Sequence, residues 1–246
     1  MLFLINLDSA EARRARMVEQ LDGLGLAYRR IGADLRHRSD AEIAAWFDAH
    51  LPGLSFDFDD VSSAEIGCWA SHLLAWRALA DAPDVEAAAV LEDDLRLEAT
   101  LPAAIATLAV SPVFDIVFLG TSSRNVSSRQ RVRAGDFTIH QPVGTIYNTW
   151  GYVIAKHYVQ RFFEARPLAI DRPIDHYTGG SRGRALKPRI GVLRPAPVSE
   201  DPDLGAASQI EPFTFRIDRA RLVEQARRRL LASRVSELYY RLYRFL

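Results

Sequence analysis

The sequence predicts an α/β fold in which a mostly parallel central sheet is flanked by helices, and three observations carry that expectation. The N-terminal residues read as strand, helix, strand, a unit whose two strands run parallel with the helix packed across them. Two later segments, Ala87 to Leu91 and Phe114 to Leu119, are uninterrupted apolar runs of strand length, as expected of strands buried on both faces. Helical periodicity separates these runs, with apolar positions at Ile66, Trp69, Leu73 and Trp76.

Taken in order, Leu2 to Asn6 is the first strand, and Asp8-Ser-Ala-Glu11 sets a capping side chain three residues ahead of a carboxylate, as at a helix start. Met17, Val18, Leu21 and Leu24 give that helix its buried stripe, Gly23 and Gly25 end it, and Leu26 to Ile31 is the next strand. From Gly32 to Asp60 the chain is polar and acidic, broken by Pro52-Gly53, which predicts an excursion with one short helix over Ala41 to His50. Ser62-Ser-Ala-Glu65 repeats the capping pattern ahead of a helix running to about Ala80. After the two central strands, the basic, serine-rich stretch Ser122 to Arg133 reads as a loop. Thr145 to Ile154 reads as a strand leading into a helix near Lys156 to Glu164, and the proline-rich Leu193 to Pro202 as an extended covering loop.

Of the 246 residues, 48% are hydrophobic and 25% charged, the balance of a folded globular protein. Formal charge is zero, so no global basic field points to nucleic acid. A lone Cys68 excludes an intramolecular disulfide, no apolar run approaches the roughly 20 residues of a membrane span, and the N-terminus lacks a secretory pattern. The expected location is therefore cytoplasmic, with peripheral attachment to the inner membrane left open. That option comes from the C-terminus: residues 216–246 hold nine arginines against three acids, with Leu231, Val235, Leu238, Leu242 and Phe245 at helical spacing. The expected organisation is a domain over residues 1–213 and a basic amphipathic helical tail over residues 214–246, the tail either lying on an anionic membrane or packing as an ordinary helix.

In open α/β sheets, ligands bind beyond the carboxyl ends of the strands. Glu92, Asp93 and Asp94 follow the apolar run Ala87 to Leu91 directly, which puts three carboxylates at such a strand mouth. Adjacent carboxylates repel, and Mg²⁺ or Mn²⁺ with oxygen ligands is one compensation; solvated acids capping a helix are the other. Glu65, Cys68 and His72 share one helical face, but a single cysteine without a fourth matched ligand argues against zinc there.

These segments resemble glycosyltransferase family 25, which includes bacterial lipooligosaccharide galactosyltransferases and a domain of collagen galactosyltransferases. The resemblance rests on an ordered set: Ile5-Asn-Leu-Asp8 with Arg13 beyond it, Glu65-Ile-Gly-Cys-Trp-Ala-Ser-His72, Leu91-Glu-Asp-Asp94, Phe114-Asp-Ile-Val-Phe-Leu119, Gly151-Tyr-Val-Ile154 and Pro173-Ile-Asp175. It covers residues 2 to about 210. It implies a GT-A-type nucleotide-binding domain that inverts at the anomeric carbon, a hexose (galactose by analogy) on a UDP-sugar donor, and a glycan acceptor such as lipooligosaccharide, free or lipid-linked.

The resemblance further implies that Asp93 and Asp94, with Glu92 behind them, hold Mn²⁺ or Mg²⁺ against the donor diphosphate. Asn6, Leu7, Asp8 and Arg13 fall where uracil and ribose lie in such folds, although Arg13 could equally pair with surface acids. Ser71 and His72 fall beside the donor pocket, His72 being as readily a buried structural histidine. Thr121, in Gly120-Thr-Ser-Ser-Arg124, offers hydroxyl and backbone donors to phosphate or sugar, or belongs to a plain loop. Asp175, matched by an aspartate in the family pattern, is the candidate base for the acceptor hydroxyl; capping a helix that begins near His176 is its alternative. Many relatives carry glutamine or another neutral residue where this chain has Ser199-Glu200-Asp201, which leaves donor-side closure or sugar identity open. The rival functions are nucleotidyl or phosphoryl transfer, disfavoured because no glycine-rich Lys-Ser/Thr loop is present, and a non-catalytic glycan- or nucleotide-binding protein that keeps the fold.

Overall fold

The structure is a computed structural model that describes residues 1–56, 61–110, 113–121, 126–143, 146, 148–166, 168–179 and 186–205. The tail expected over residues 214–246 lies outside the described residues. Strand β1 (Leu2–Ile5) leads through helix α1 (Glu11–Gly23) to β2 (Arg29–Ile31), which pairs parallel with β1, Phe3 facing Arg29, as the N-terminal pattern predicts. The expected cap of α1 does not form. Its N-cap is Ala10, and Asp8 instead meets Arg30 at 2.5 Å, because the parallel pairing brings that guanidinium to the end of β1.

Helix α2 (Asp40–His50) and strand β3 (Leu54–Phe56) form the excursion, and helix α3 (Ser63–Asp81) follows. At α3 the capping box is complete: the Ser62 hydroxyl accepts from the Glu65 N–H, and the Glu65 carboxylate accepts from the Ser62 N–H at 2.8 Å. Two backbone donors that would otherwise be orphaned are satisfied there.

The remaining elements are β4 (Ala87–Leu91), β5 (Leu95–Leu97), α4 (Leu101–Ala109), β6 (Ile116–Gly120), β7 (Val126–Ala134), β8 (Phe137–Pro142), β9 (Gly151–Ala155), α5 (Lys156–Glu164), β10 (Leu168–Ile170), α6 (Ile174–Thr178), β11 (Ile190–Arg194), β12 (Val198–Glu200) and α7 (Pro202–Gly205). Eight strands form one sheet in the order β2-β1-β4-β9-β6-β11-β8-β7. Six of them run in one direction, and β9 and β8 are reversed.

Both faces of this sheet are covered, and the strands' two-residue period divides the core accordingly. Phe3, Ala88, Val90, Ile116 and Phe118 join Trp69 and Trp76 of α3 and Phe162 of α5 in one cluster. Leu2, Leu4, Ala89, Leu91, Val117 and Leu119 join Met17 and Leu21 of α1 and Leu101 of α4 in the other. The continuous apolar runs read from sequence are therefore strands buried on both sides.

Two segments read as loops are partly strand. Val126–Ala134 forms β7 and turns through Gly135, at φ 57°, into antiparallel β8. An edge strand facing solvent needs backbone partners on one side only, so its arginines and serines did not mark it as a strand. Within the expected covering loop, β12 pairs antiparallel with β5, Val198 facing Leu97. It crosses the end of β6 so closely that a Cβ at Gly120 would lie 2.3 Å from the Val198 carbonyl oxygen.

Candidate functional site

Because six strands share a direction, the ends of β1, β2, β4, β6 and β11 and the start of β9 lie along one edge of the sheet. Asn6, Glu92, Thr121 and Thr149 stand there, next to the strand ends that position them. A groove of about 700 Å³ opens beside β2, lined among others by Asn6, Leu7, Asp8, Arg30, Gly32 and Asp34. Gly32 lets the chain after β2 pass close by, since a Cβ there would stand 2.4 Å from the Asn6 carbonyl oxygen.

The acidic triplet does not act as one cluster. Val90 faces the α3 side and Leu91 the α1 side, and the alternation continues past the strand end. Glu92 turns toward α3, where it accepts from the Thr149 hydroxyl and lies 3.3 Å from His72 Nε2. Asp93 turns toward α1, where Arg13 Nη1 donates to its Oδ1 at 2.8 Å and Asn6 Nδ2 to its Oδ2 at 2.7 Å. The second arm of Arg13 donates to Asp94 Oδ2 at 3.0 Å. One guanidinium thus bridges two carboxylates, and both ends of the bridge are largely shielded from solvent, with side-chain exposures of 13% for Arg13, 10% for Asp93 and 21% for Asp94.

The three carboxylates titrate differently for identifiable reasons. Glu92 is held below its ordinary value: burial pushes it up, but the hydrogen bonds from His72 and the Thr149 hydroxyl, with the charge of Arg13, outweigh that. Asp93 is raised by burial, against the pull of Asn6 and Arg13. Asp94 is raised to about 6, first by burial and then by the charges of Glu92 and Asp93, with Arg13 opposing. Asp94 Oδ1 is buried without a hydrogen-bond partner. An unpartnered oxygen on a carboxylate whose charged form is under-compensated fits a hard divalent cation.

His72 is wholly buried and its two nitrogens are engaged. Trp76 Nε1 can only donate, and it does so to the Tyr152 hydroxyl at 2.9 Å; the hydroxyl's own proton then points to His72 Nδ1 at 2.7 Å. In this arrangement His72 carries its proton on Nε2, directed at Glu92. Ser71 is equally committed, accepting from the Ala33 N–H at 3.0 Å and donating to the Gly67 carbonyl at 2.9 Å. Both residues stand behind the strand ends, fixing α3 and Glu92, and do not line the groove.

Glu65 is occupied in its capping box, and the zinc-like grouping weighed from sequence takes another form: Cys68, His72 and Glu92 present ligand atoms within 4.8 Å of one another. His72 and Glu92 are already hydrogen bonded within that grouping, and burial and the surrounding carboxylates hold the Cys68 thiol well above its ordinary value, against thiolate formation.

Asp175 lies in the first turn of α6, whose N-cap is Pro173, so it is not the capping residue of a helix starting at His176. Its Oδ1 is buried without a partner, and burial together with the charges of Glu92 and Glu65 raises its pKa despite His176. Leu7 and Asp8 line the groove and Thr121 follows β6, while Asn6 and Arg13 reach the acidic pair. Sequence reasoning missed Thr149, and gave no role to Tyr152 or Asp201 although both fall in segments it singled out. Nothing in the local pattern marks Thr149, whose partner is 57 residues away. Asp201 is buried, pairs with Arg16 at 2.6 Å, and donates its backbone N–H to the Asp94 carbonyl, tying β12 to the acidic segment.

Residues 1–178 match the family described as Glycosyltransferase family 25 (LPS biosynthesis protein). Over 72% of its length, the chain is 26% identical to a Glycosyltransferase 25 family member of Anopheles gambiae and to Procollagen galactosyltransferase 1-B of Xenopus laevis, and 24% identical to Procollagen galactosyltransferase 2 of Homo sapiens. It spans about 30% of the length of these relatives. Among solved structures, a mannose-1-phosphate geranyltransferase of Thermus thermophilus aligns over 83% of this chain and 75% of its own at 13% identity, with a TM-score of 0.36. With the motifs in their order along the chain and a family match over 178 of 246 residues, the chain belongs to glycosyltransferase family 25.

Proposed function

We propose that this chain is a divalent-cation-dependent, inverting hexosyltransferase of GT-A type that takes a UDP-sugar, with galactose the first candidate, and transfers the sugar to a cell-surface glycan acceptor. The observation that carries this reading is the pair of buried, unpartnered carboxylate oxygens, Asp94 Oδ1 and Asp175 Oδ1, both within the field of Glu92. One carboxylate suits a cation and the other a proton. Galactose is chosen because several matched relatives are named procollagen galactosyltransferases.

Each residue then has a definite task. Leu7 and Asp8 line the space for the nucleoside, and Thr121 stands at the end of β6 along the same edge. Asp94 and Glu92 hold the Mn²⁺ or Mg²⁺, which when bound neutralises charge on the departing nucleoside diphosphate. Asp93, with one oxygen on Asn6 and the other on Arg13, anchors those neighbours and is the least available ligand of the three. Asp175 accepts the proton of the acceptor hydroxyl as that oxygen attacks the anomeric carbon from the face opposite the leaving group. Burial, with the charges of Glu92 and Glu65, raises its pKa, the direction that makes a carboxylate a stronger base. His72, fixed by Tyr152 and Trp76, holds Glu92 in place.

The test is turnover of UDP-galactose, UDP-glucose and UDP-N-acetylhexosamines with and without Mn²⁺, alongside nucleotide binding. Neither turnover nor binding with any donor would end the transferase reading. For Asp175→Asn, kcat should fall by about 10²- to 10⁴-fold with UDP affinity retained, and equal losses in both would remove Asp175 from the role of base.

A further inference from the structure

Arg13 is the one cation that the acidic pair holds among the described residues, and its geometry is unusual in what it leaves over. Its two terminal nitrogens are spent on Asp93 and Asp94, 80 and 81 residues away in sequence, while its Nε–H is buried without an acceptor. Asp94 mirrors this: Oδ2 is taken by Arg13 and Oδ1 has no donor. A bridged ion pair therefore keeps one unused donor on its basic side and one unused acceptor on its acidic side. A ligand that brings an acceptor to Arg13 and a cation or donor to Asp94 satisfies both, and a divalent cation bound to a diphosphate is of that kind.

We propose that Arg13 couples cation binding to diphosphate binding, serving as the counter-charge of Asp93 and Asp94 in the free protein and turning toward the diphosphate when nucleotide and cation arrive together. The inference rests on the acidic site being the cation site of a nucleotide-sugar enzyme. Its physical basis is competition: in the free protein the guanidinium occupies one oxygen of Asp94 and opposes a second positive charge only a few ångströms away, which weakens cation binding alone. Diphosphate oxygens offer the guanidinium replacement acceptors of matching, bidentate geometry. Asp94 is then released toward the cation, so that each ligand raises the affinity for the other by the same factor, as linkage requires. Asn6, which keeps its own bond to Asp93 Oδ2, holds that carboxylate in position as the guanidinium turns.

The measurement is the Mn²⁺ dissociation constant by electron paramagnetic resonance, with and without UDP, for the full chain and for Arg13→Gln and Arg13→Lys. Without nucleotide, Arg13→Gln should bind Mn²⁺ at least as tightly as the unaltered chain. The factor by which UDP tightens Mn²⁺ binding should fall about tenfold or more, the scale of one lost charge-assisted hydrogen bond. Arg13→Lys keeps the charge without the fork and should fall between; it decides the matter should Arg13→Gln not fold. Weaker Mn²⁺ binding without nucleotide in both variants, the mark of a merely structural residue, or an undiminished UDP effect, overturns the coupling. An unaltered chain that binds neither Mn²⁺ nor UDP overturns the functional reading as well.

Discussion

Two aspartates at opposite edges of the same sheet, Asp115 buried and Asp94 partly so, have been given opposite surroundings. Asp115, just before β6, lies at the edge where the six like-directed strands begin, and it is compensated on every side. It accepts from the Arg189 backbone N–H at 2.6 Å and from His157 at 2.7 Å, with the guanidinium groups of Arg161 and Arg189 at 3.4 and 3.5 Å. Burial raises its pKa, but these partners more than reverse that, and the net shift is downward. Asp94, at the edge where those strands end, shares one arginine with Asp93, keeps one oxygen unpartnered, and is pushed up to about 6. The lesson is that desolvation raises both carboxylates and the completeness of the compensation decides the net shift, which is what makes Asp94, and not Asp115, the candidate for a functional role.

The contrast is most sharply broken at Asp94. Asp94→Asn should lower Mn²⁺-dependent turnover by about 10²-fold or more, the scale of losing a Lewis-acid anchor, while thermal stability without cation holds or rises because a poorly compensated charge has gone. Loss of both activity and stability would make Asp94 a structural residue like Asp115. Asp115→Asn should do the reverse, costing about 2–3 kcal/mol in urea unfolding as several donors lose a charged acceptor, with UDP binding by the folded fraction unchanged. Reduced UDP affinity in folded Asp115→Asn would mean that the two edges are coupled.

A smaller effect lies in the pH dependence of stability. The Asp94 pKa is raised on folding, so its contribution favours the fold below the ordinary carboxylate range and is lost as pH rises through about 6. Asp115 is depressed, so its contribution is present above the ordinary aspartate value and is lost as pH falls through its lowered pKa. Without cation, Asp94→Asn should therefore gain stability relative to the unaltered chain between about pH 4 and 6, and Asp115→Asn should lose its disadvantage only below that window. Added Mn²⁺ should cancel the first difference, since a cation favours the charged carboxylate. A flat difference curve for Asp94→Asn would contradict its under-compensated state.

What could be read from the sequence was what local geometry controls. The capping box Ser62/Glu65 spans four residues, and the strand Ala87–Leu91 declares itself by an unbroken apolar run, so the acids that follow it were placed at a strand mouth without reference to any distant residue. The order of motifs was sufficient to identify the family. The expected cap at Asp8 failed because a neighbouring strand supplied Arg30, and β7 escaped notice because an exposed edge strand leaves no apolar pattern.

Only the tertiary structure decided how the acidic triplet is shared out. Glu92 is assigned to His72 and Thr149, and Asp93 and Asp94 to Arg13, by contacts spanning 20 to 81 residues of sequence. Charge compensation depends on separations of a few ångströms and on the exclusion of water, and neither quantity is local in the chain. Three adjacent acids can be recognised in a sequence; which of them is left under-compensated is set by what the fold packs against each one.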